Sequence, residues 1–427
     1  MRRVAAGETP SEILPDLPVA PLIHEGVARY ERAIELFEQI GDRRGLMSAI
    51  IARAYVSFGV EIHLLGAAKR IEEIRRLAMQ MTSLTRESER AMAQAQMLYG
   101  VQVFAHAKVV PDLALTRGEE AHRHARMLGD RSLEFASAVG VAMTHLELGD
   151  VDQARRWLDR AAEAAAAAPT PLRARQLEVA RGTVQAATGN ATAMREHLER
   201  ALRLATEQGR PAARAEVLAA LALAAALLGA ERGDEELLTL AERSAKDAKE
   251  LVQVLPGHPP WGAAANSALA QVALARGAPD AAAEAARSSL QLIADAHVED
   301  PLLHVVLPAA RVILSAGAEE EREAVQRELR MTAALIAQRI TDESVRAQWF
   351  RGPVGRELSK LAGGPPEAGV RERADGDGRA AAQLGDDDTG LLWLLIEGWT
   401  NREIADELGV SEEAVGRRLA EMYARIG

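Results

Sequence analysis

The chain contains no cysteine. A disulfide framework, a thiolate zinc site and a cysteine nucleophile are therefore excluded, and nothing marks an oxidising compartment. Aromatic residues are scarce, at 3% of the total. Lysine is nearly missing: five Lys stand beside 46 Arg, and with 62 acidic residues the formal charge is −11. The molecule as a whole is no polycation, so any affinity for nucleic acid has to come from a local site. The ten His show no HExxH spacing, and no GxxxxGK[ST] phosphate loop occurs. Long hydrophobic runs are missing too. The longest, Val217 to Ala230, is largely Ala and shorter than the roughly 20 residues a membrane-spanning helix needs, so it reads as a buried helix of a soluble protein. Residues Met1 to Ala20 carry two Arg and three Pro and no apolar core for an export signal. The location expected from these absences is the cytoplasm.

What is present is alanine. The 427 residues allow about three domains, and 85 Ala make up the largest part of the 48% hydrophobic content. Such a composition predicts an all-α protein.

A pattern recurs along the chain: a small residue, a Gly-Asp-like turn seven positions on, then Ala, Leu and Ala at helical spacing. One copy has Ala142, Gly149-Asp150, Ala154, Leu158 and Ala161. A second has Gly182, Gly189-Asn190, Met194, Leu198 and Ala201, and a weaker third has Ala270, Gly277-Ala278, Ala282, Ala286 and Ser289. Further Gly-Asp turns stand at Gly41-Asp42 and Gly129-Asp130. Small side chains let two antiparallel helices approach closely, and a Gly ends the first helix in a left-handed cap. This is the signature of a helical-hairpin solenoid. It resembles the tetratricopeptide repeat family, whose small, Ala and Ala positions fall on Ala142, Ala154 and Ala161. The family's early Trp is missing, and the Gly149 to Gly189 spacing of 40 residues exceeds the family's 34. A generic Ala-rich helical bundle is the alternative. If the resemblance holds, it implies a scaffold over residues 23–361, after an N-terminal stretch 1–22, that docks a partner protein or senses a small ligand.

Ser344-Val345-Arg346-Ala347-Gln348-Trp349-Phe350 with Arg356-Glu357-Leu358 resembles the segment that closes such repeats in large bacterial regulators, which implies a solenoid cap. Residues 362–384, rich in Gly, Pro and charge, then read as a linker.

The last forty residues, 385–427, carry the sharpest local signals. Leu391, Leu394 and Leu395 form one face of a short helix ending near Glu397-Gly398. Thr400-Asn401-Arg402-Glu403 has the form of a capping box, Ile404, Ala405 and Leu408 give the face of the helix it opens, and Gly409 ends it. Ser411 caps a third helix, with Val410 and Val415 placed as a hydrophobic staple, and Leu419, Met422, Tyr423 and Ile426 continue its face. Two short helices about a Gly turn, the second well capped, make a helix-turn-helix whose second helix fits the DNA major groove. Residues 397–427 closely resemble the LuxR-type DNA-binding domain. Solenoid followed by this domain is similar to the large ATP-dependent LuxR regulators, but without their ATPase, so no nucleotide cofactor, no metal and no enzymatic activity are expected.

The resemblance places Ala414 and Val415 at the base-facing positions, where an apolar surface can meet thymine methyls. Val415 equally has the geometry of a core residue. Arg402, Arg417 and Arg418 would reach phosphate or a guanine edge, or form a solvated face. Ser411, Thr400 and Asn401 complete the expected contact set, Ser411 through its helix N-terminus. Met422, Tyr423 and Ile426 are the candidate face of a homodimer on double-stranded DNA, or pack within the domain. Two departures stand against the family pattern: Glu413, Ala414 and Gly416 replace its Thr and basic residues, and Asp386-Asp387-Asp388 replaces its Pro-Arg-Glu entry. Residues 385–427 hold four Arg against ten acids, net −6. The leading expectation is a DNA-binding transcriptional regulator; the alternative is a protein-interaction adaptor with a vestigial helix-turn-helix.

Overall fold

Each turn of the repeat pattern is a helix stop followed at once by a helix start. Gly129, Gly149, Gly189, Gly233 and Gly277 all have φ between 65° and 80°, the left-handed region where a Cβ is costly. The next residue restarts the chain: Asp130 accepts from the amides of Ser132 and Leu133, Asp150 from Gln153, and Asn190 from Ala193, at 3.0 to 3.2 Å. In the computed structural model the described residues are 29, 32–37, 39–41, 87–209, 211–254, 259–295, 301–364, 410–411, 414–415, 417 and 418.

Among the described residues there is no strand, and fourteen helices follow one another from Glu87 to Ala362. They pair as antiparallel hairpins: α1 (Glu87–Ala107) with α2 (Pro111–Leu128), α3 (Arg131–Glu147) with α4 (Val151–Ala167), and α5 (Pro171–Ala187) with α6 (Ala191–Glu207). Next come α7 (Pro211–Arg232) with α8 (Glu235–Val254) and α9 (Pro259–Ala275) with α10 (Pro279–Asp295). The run ends with α11 (Leu303–Ala316), α12 (Glu319–Arg339) and two short helices, α13 (Glu343–Arg351) and α14 (Pro353–Ala362). The first helix of each hairpin also packs on the first helix of the next, so the architecture is a stacked helical repeat and not a generic bundle.

The repeat residues are its core. Ala142, Ala154, Leu158, Ala161, Met194, Leu198, Ala201, Ala270, Ala282 and Ala286 are all 3% exposed or less. At Gly182 the backbone approach is so close that a Cβ would lie 2.7 Å from Cγ of Leu198. Helices α4, α6 and α8 each bury one narrow stripe, whereas α7 is buried on most of its circumference. Pro211–Arg232 is long and apolar enough by composition to cross a membrane, but 67% of its most apolar window is buried among the neighbouring hairpins.

Polar links between neighbouring hairpins repeat with the same period. Arg173 with Ser132, Arg175 with Glu216, Arg195 with Glu236 and Arg276 with Glu235 are each separated by 41 positions. Inside, Ser267 Oγ donates to Val305 O at 2.8 Å and Gln271 Nε2 to Pro308 O at 2.7 Å, tying α9 to α11.

By its contacts the chain divides into two units, 1–25 with 86–367, and 26–85 with 368–427. The helices above belong to the first. The sequence reading kept residues 23–361 together. Residues 1–22 and most of 23–86 and of the linker 362–384 lie outside the described residues.

Candidate functional site

Two regions were marked by sequence. In the C-terminal one, residues 414, 415, 417 and 418 are helical. Ser411 caps this helix: its Oγ accepts from the amide of Ala414 at 3.2 Å, and its carbonyl accepts from the amide of Val415 at 3.1 Å. Ser411, Arg417 and Arg418 are exposed, and Ala414 is half-buried. Val415 is 2% exposed while Val410, its expected staple partner, is 48% exposed. At 2% exposure Val415 has the burial of a core residue, the second of its two readings. Thr400, Asn401, Arg402, Met422, Tyr423 and Ile426 lie outside the described residues.

In the repeats, the segment read as a terminal cap does more than end the solenoid. Trp349 and Leu358, both 0% exposed, share a cluster with Leu303, Leu307 and Ile336 but also with Val109 and Leu148, from the loops that follow α1 and α3. Polar bonds span the same junction. Arg339 Nη1 donates to Lys108 O at 3.1 Å, and Asp112 Oδ2 accepts from Thr341 Oγ1 at 3.0 Å and from the Asp342 amide at 3.2 Å, across some 230 positions. The last helices thus return to the first hairpins. A Cβ at Gly352 would come 2.5 Å from the Glu147 carbonyl oxygen, so only glycine permits this approach.

Titratable groups gather there. His106 places Nδ1 3.2 Å from Thr144 Oγ1 and Nε2 3.7 Å from Glu147 Oε1. Desolvation pushes the Glu147 carboxyl above its ordinary range, and His106 only partly opposes this. Among the described residues no group of three or more His, Asp or Glu could hold a metal.

A second surface feature was not legible in sequence. A groove of about 510 Å³ runs between α6 and α8 over α7, floored by Leu202, Leu218, Leu221 and Leu240. Glu199 on its rim is paired with Arg195 at 2.8 Å.

No family model and no curated protein sequence matches the chain. Among solved structures it is similar to a Rap protein complexed with competence and sporulation factor: 13% identity, 80% of this chain and 99% of that one covered, TM-score 0.46. The all-α helical repeat is read from this chain's own helices and their packing.

Proposed function

We propose that this chain is a DNA-binding transcriptional regulator in which residues 385–427 form a LuxR-type helix-turn-helix, reached through the linker 362–384, and the helical repeats receive the input. The observation that carries the reading is the unbroken pattern from Glu397 to Gly427, in which a capping box at Thr400, the Gly409 turn, an N-cap at Ser411 and the apolar faces all agree on two helices about a tight turn. The cap at Ser411 and the burial of Val415 support it. Exposed Arg417 and Arg418 are the phosphate or guanine contacts, with Arg402, Thr400, Asn401, Ser411 and Ala414 completing the set. Met422, Tyr423 and Ile426 are the homodimer face. Dimerisation matters because four Arg per protomer give few phosphate contacts.

The partner of the repeats is a protein or small ligand, and the leucine-floored groove between α6 and α8 offers it an apolar surface with a charged rim. The protein works in the cytoplasm, without enzymatic activity. The second reading, a protein-interaction adaptor with a vestigial helix-turn-helix, is favoured by one observation, the net charge of −6 over residues 385–427.

The test is the double variant Arg417→Ala, Arg418→Ala. Duplex binding weakened at least tenfold supports the regulator; duplex binding unchanged leaves the adaptor.

A further inference from the structure

Two left-handed positions that lack glycine flank one junction. Hairpin turns elsewhere put glycine in the left-handed region, yet the turn after α1 puts Val109 there, at φ 58°, and the start of α11 puts Leu302 there, at φ 37°. Among the described residues these are the two non-glycine positions with positive φ. A β-branched side chain in that conformation is strained. Both flank the junction where the last helices meet the first: Val109 and Leu303 belong to the cluster that holds Trp349 and Leu358. Trp349 is fully buried there, and its indole N–H has no partner. An unsatisfied buried donor weakens the state that buries it. The Glu147 carboxyl, with Oε1 3.7 Å from His106 Nε2, stands at the same junction.

The elements that make the contact are the shortest in the repeats. Helices α13 and α14 have nine and ten residues. Gly352 between them lies on the Glu147 carbonyl, and Pro353 lies on Gly149. The polar bonds to Asp112 from Thr341 and Asp342 are at the exposed surface. The hairpins between α3 and α10 share continuous apolar cores of their own. Two left-handed non-glycine residues, an unmet indole N–H and polar bonds at the surface, all at one junction, are what a two-state element looks like.

We propose that residues 341–362 form a releasable strap. The superhelix has the closed form described and an open form, in which the strap leaves the ends of α1 and α3 while the hairpins between stay folded. The strap is the last element before residues 365–427, so its release moves the point where that segment joins the repeats. This deepens the regulator reading and rests on it for its purpose; its detection does not involve DNA.

The experiment is native-state amide hydrogen exchange on the full chain, read by mass spectrometry. The expected result is exchange in residues 343–362 at least tenfold faster than in α7 and α9, with the facing loops 106–112 and 146–150 sharing the faster rate. Fraying of the short helices alone would speed 343–362 but not the facing loops, and that result overturns the proposal. So does exchange of the strap as slow as that of α7. Because the chain lacks cysteine, the pair Asp112→Cys, Thr341→Cys can be bridged without competing thiols. Oxidation should slow exchange on both sides of the junction, and reduction should restore it; exchange that stays fast in the bridged protein contradicts the strap. If the pair does not bridge, the facing loops of the unmodified chain decide alone. Failure to bind DNA would leave this result untouched and would count against the regulator reading only.

Discussion

Gln102 stands where the other hairpins carry a small residue, seven positions before the turn. It is 0% exposed, and its Nε2 donates to Ser137 O at 3.0 Å. Room for it comes from two glycines on neighbouring helices. A Cβ at Gly140 would fall 2.4 Å from Nε2, 2.9 Å from Cδ and 3.4 Å from Oε1 of Gln102, and these are its three nearest contacts. Gly140→Ala should therefore overpack the site at a cost of about 1–3 kcal/mol, reduced by about 0.5–1 kcal/mol because alanine suits a helix interior better than glycine. The net expectation is a loss of about 1–2 kcal/mol. In a Gln102→Ala background the obstructing atoms are gone, and the same substitution should stabilise by about 0.5–1 kcal/mol. Gly118→Ala is the control. Its Cβ would meet Gln102 at 2.5 Å but also Val141 Cγ2 at 2.6 Å, so truncating Gln102 should rescue it only in part. Urea unfolding followed by circular dichroism reads all of these variants. The reasoning is refuted if Gly140→Ala has the same sign of effect in both backgrounds.

Asp150→Ala removes the acceptor for the Gln153 amide and should cost about 1 kcal/mol, measurable in the same unfolding assay. Glu147→Gln should stabilise the protein at neutral pH: a carboxyl raised in the folded chain binds its proton more tightly there than when unfolded, so it adds stability at acid pH that is lost as pH rises through the folded value. The gain from Gln should vanish in melts below the ordinary glutamate range, and a gain that grows on acidification would contradict this account. Gly416→Lys should tighten non-specific duplex binding and steepen its salt slope by about 1 if the helix lies along phosphates; titrations at several salt concentrations would show no change if it does not.

The repeats were legible because their determinants are local: a small residue, a left-handed glycine and a capping side chain within a dozen positions, as at Ala142, Gly149 and Asp150. Val109 hid the first turn, since no residue there announces a left-handed conformation. Gln102 broke the small-residue pattern, and its compensation at Gly118 and Gly140 sits on other helices. The junction at Trp349 was read only as a cap because a contact across some 230 positions leaves no periodic trace in sequence. The groove over Leu218 and Leu221 was invisible for a related reason, as its walls come from three helices. In the C-terminal segment Ser411 was legible as a cap, while Val415 had the pattern of a staple and of a base-facing residue alike, and sequence carries no measure of its burial.

The most direct measurement is binding of the purified chain to random genomic DNA fragments at low and moderate salt, followed by sequencing of the fragments retained. The account predicts enrichment of a pseudo-palindromic site, with retention falling as salt rises. No retention even at low salt would contradict it.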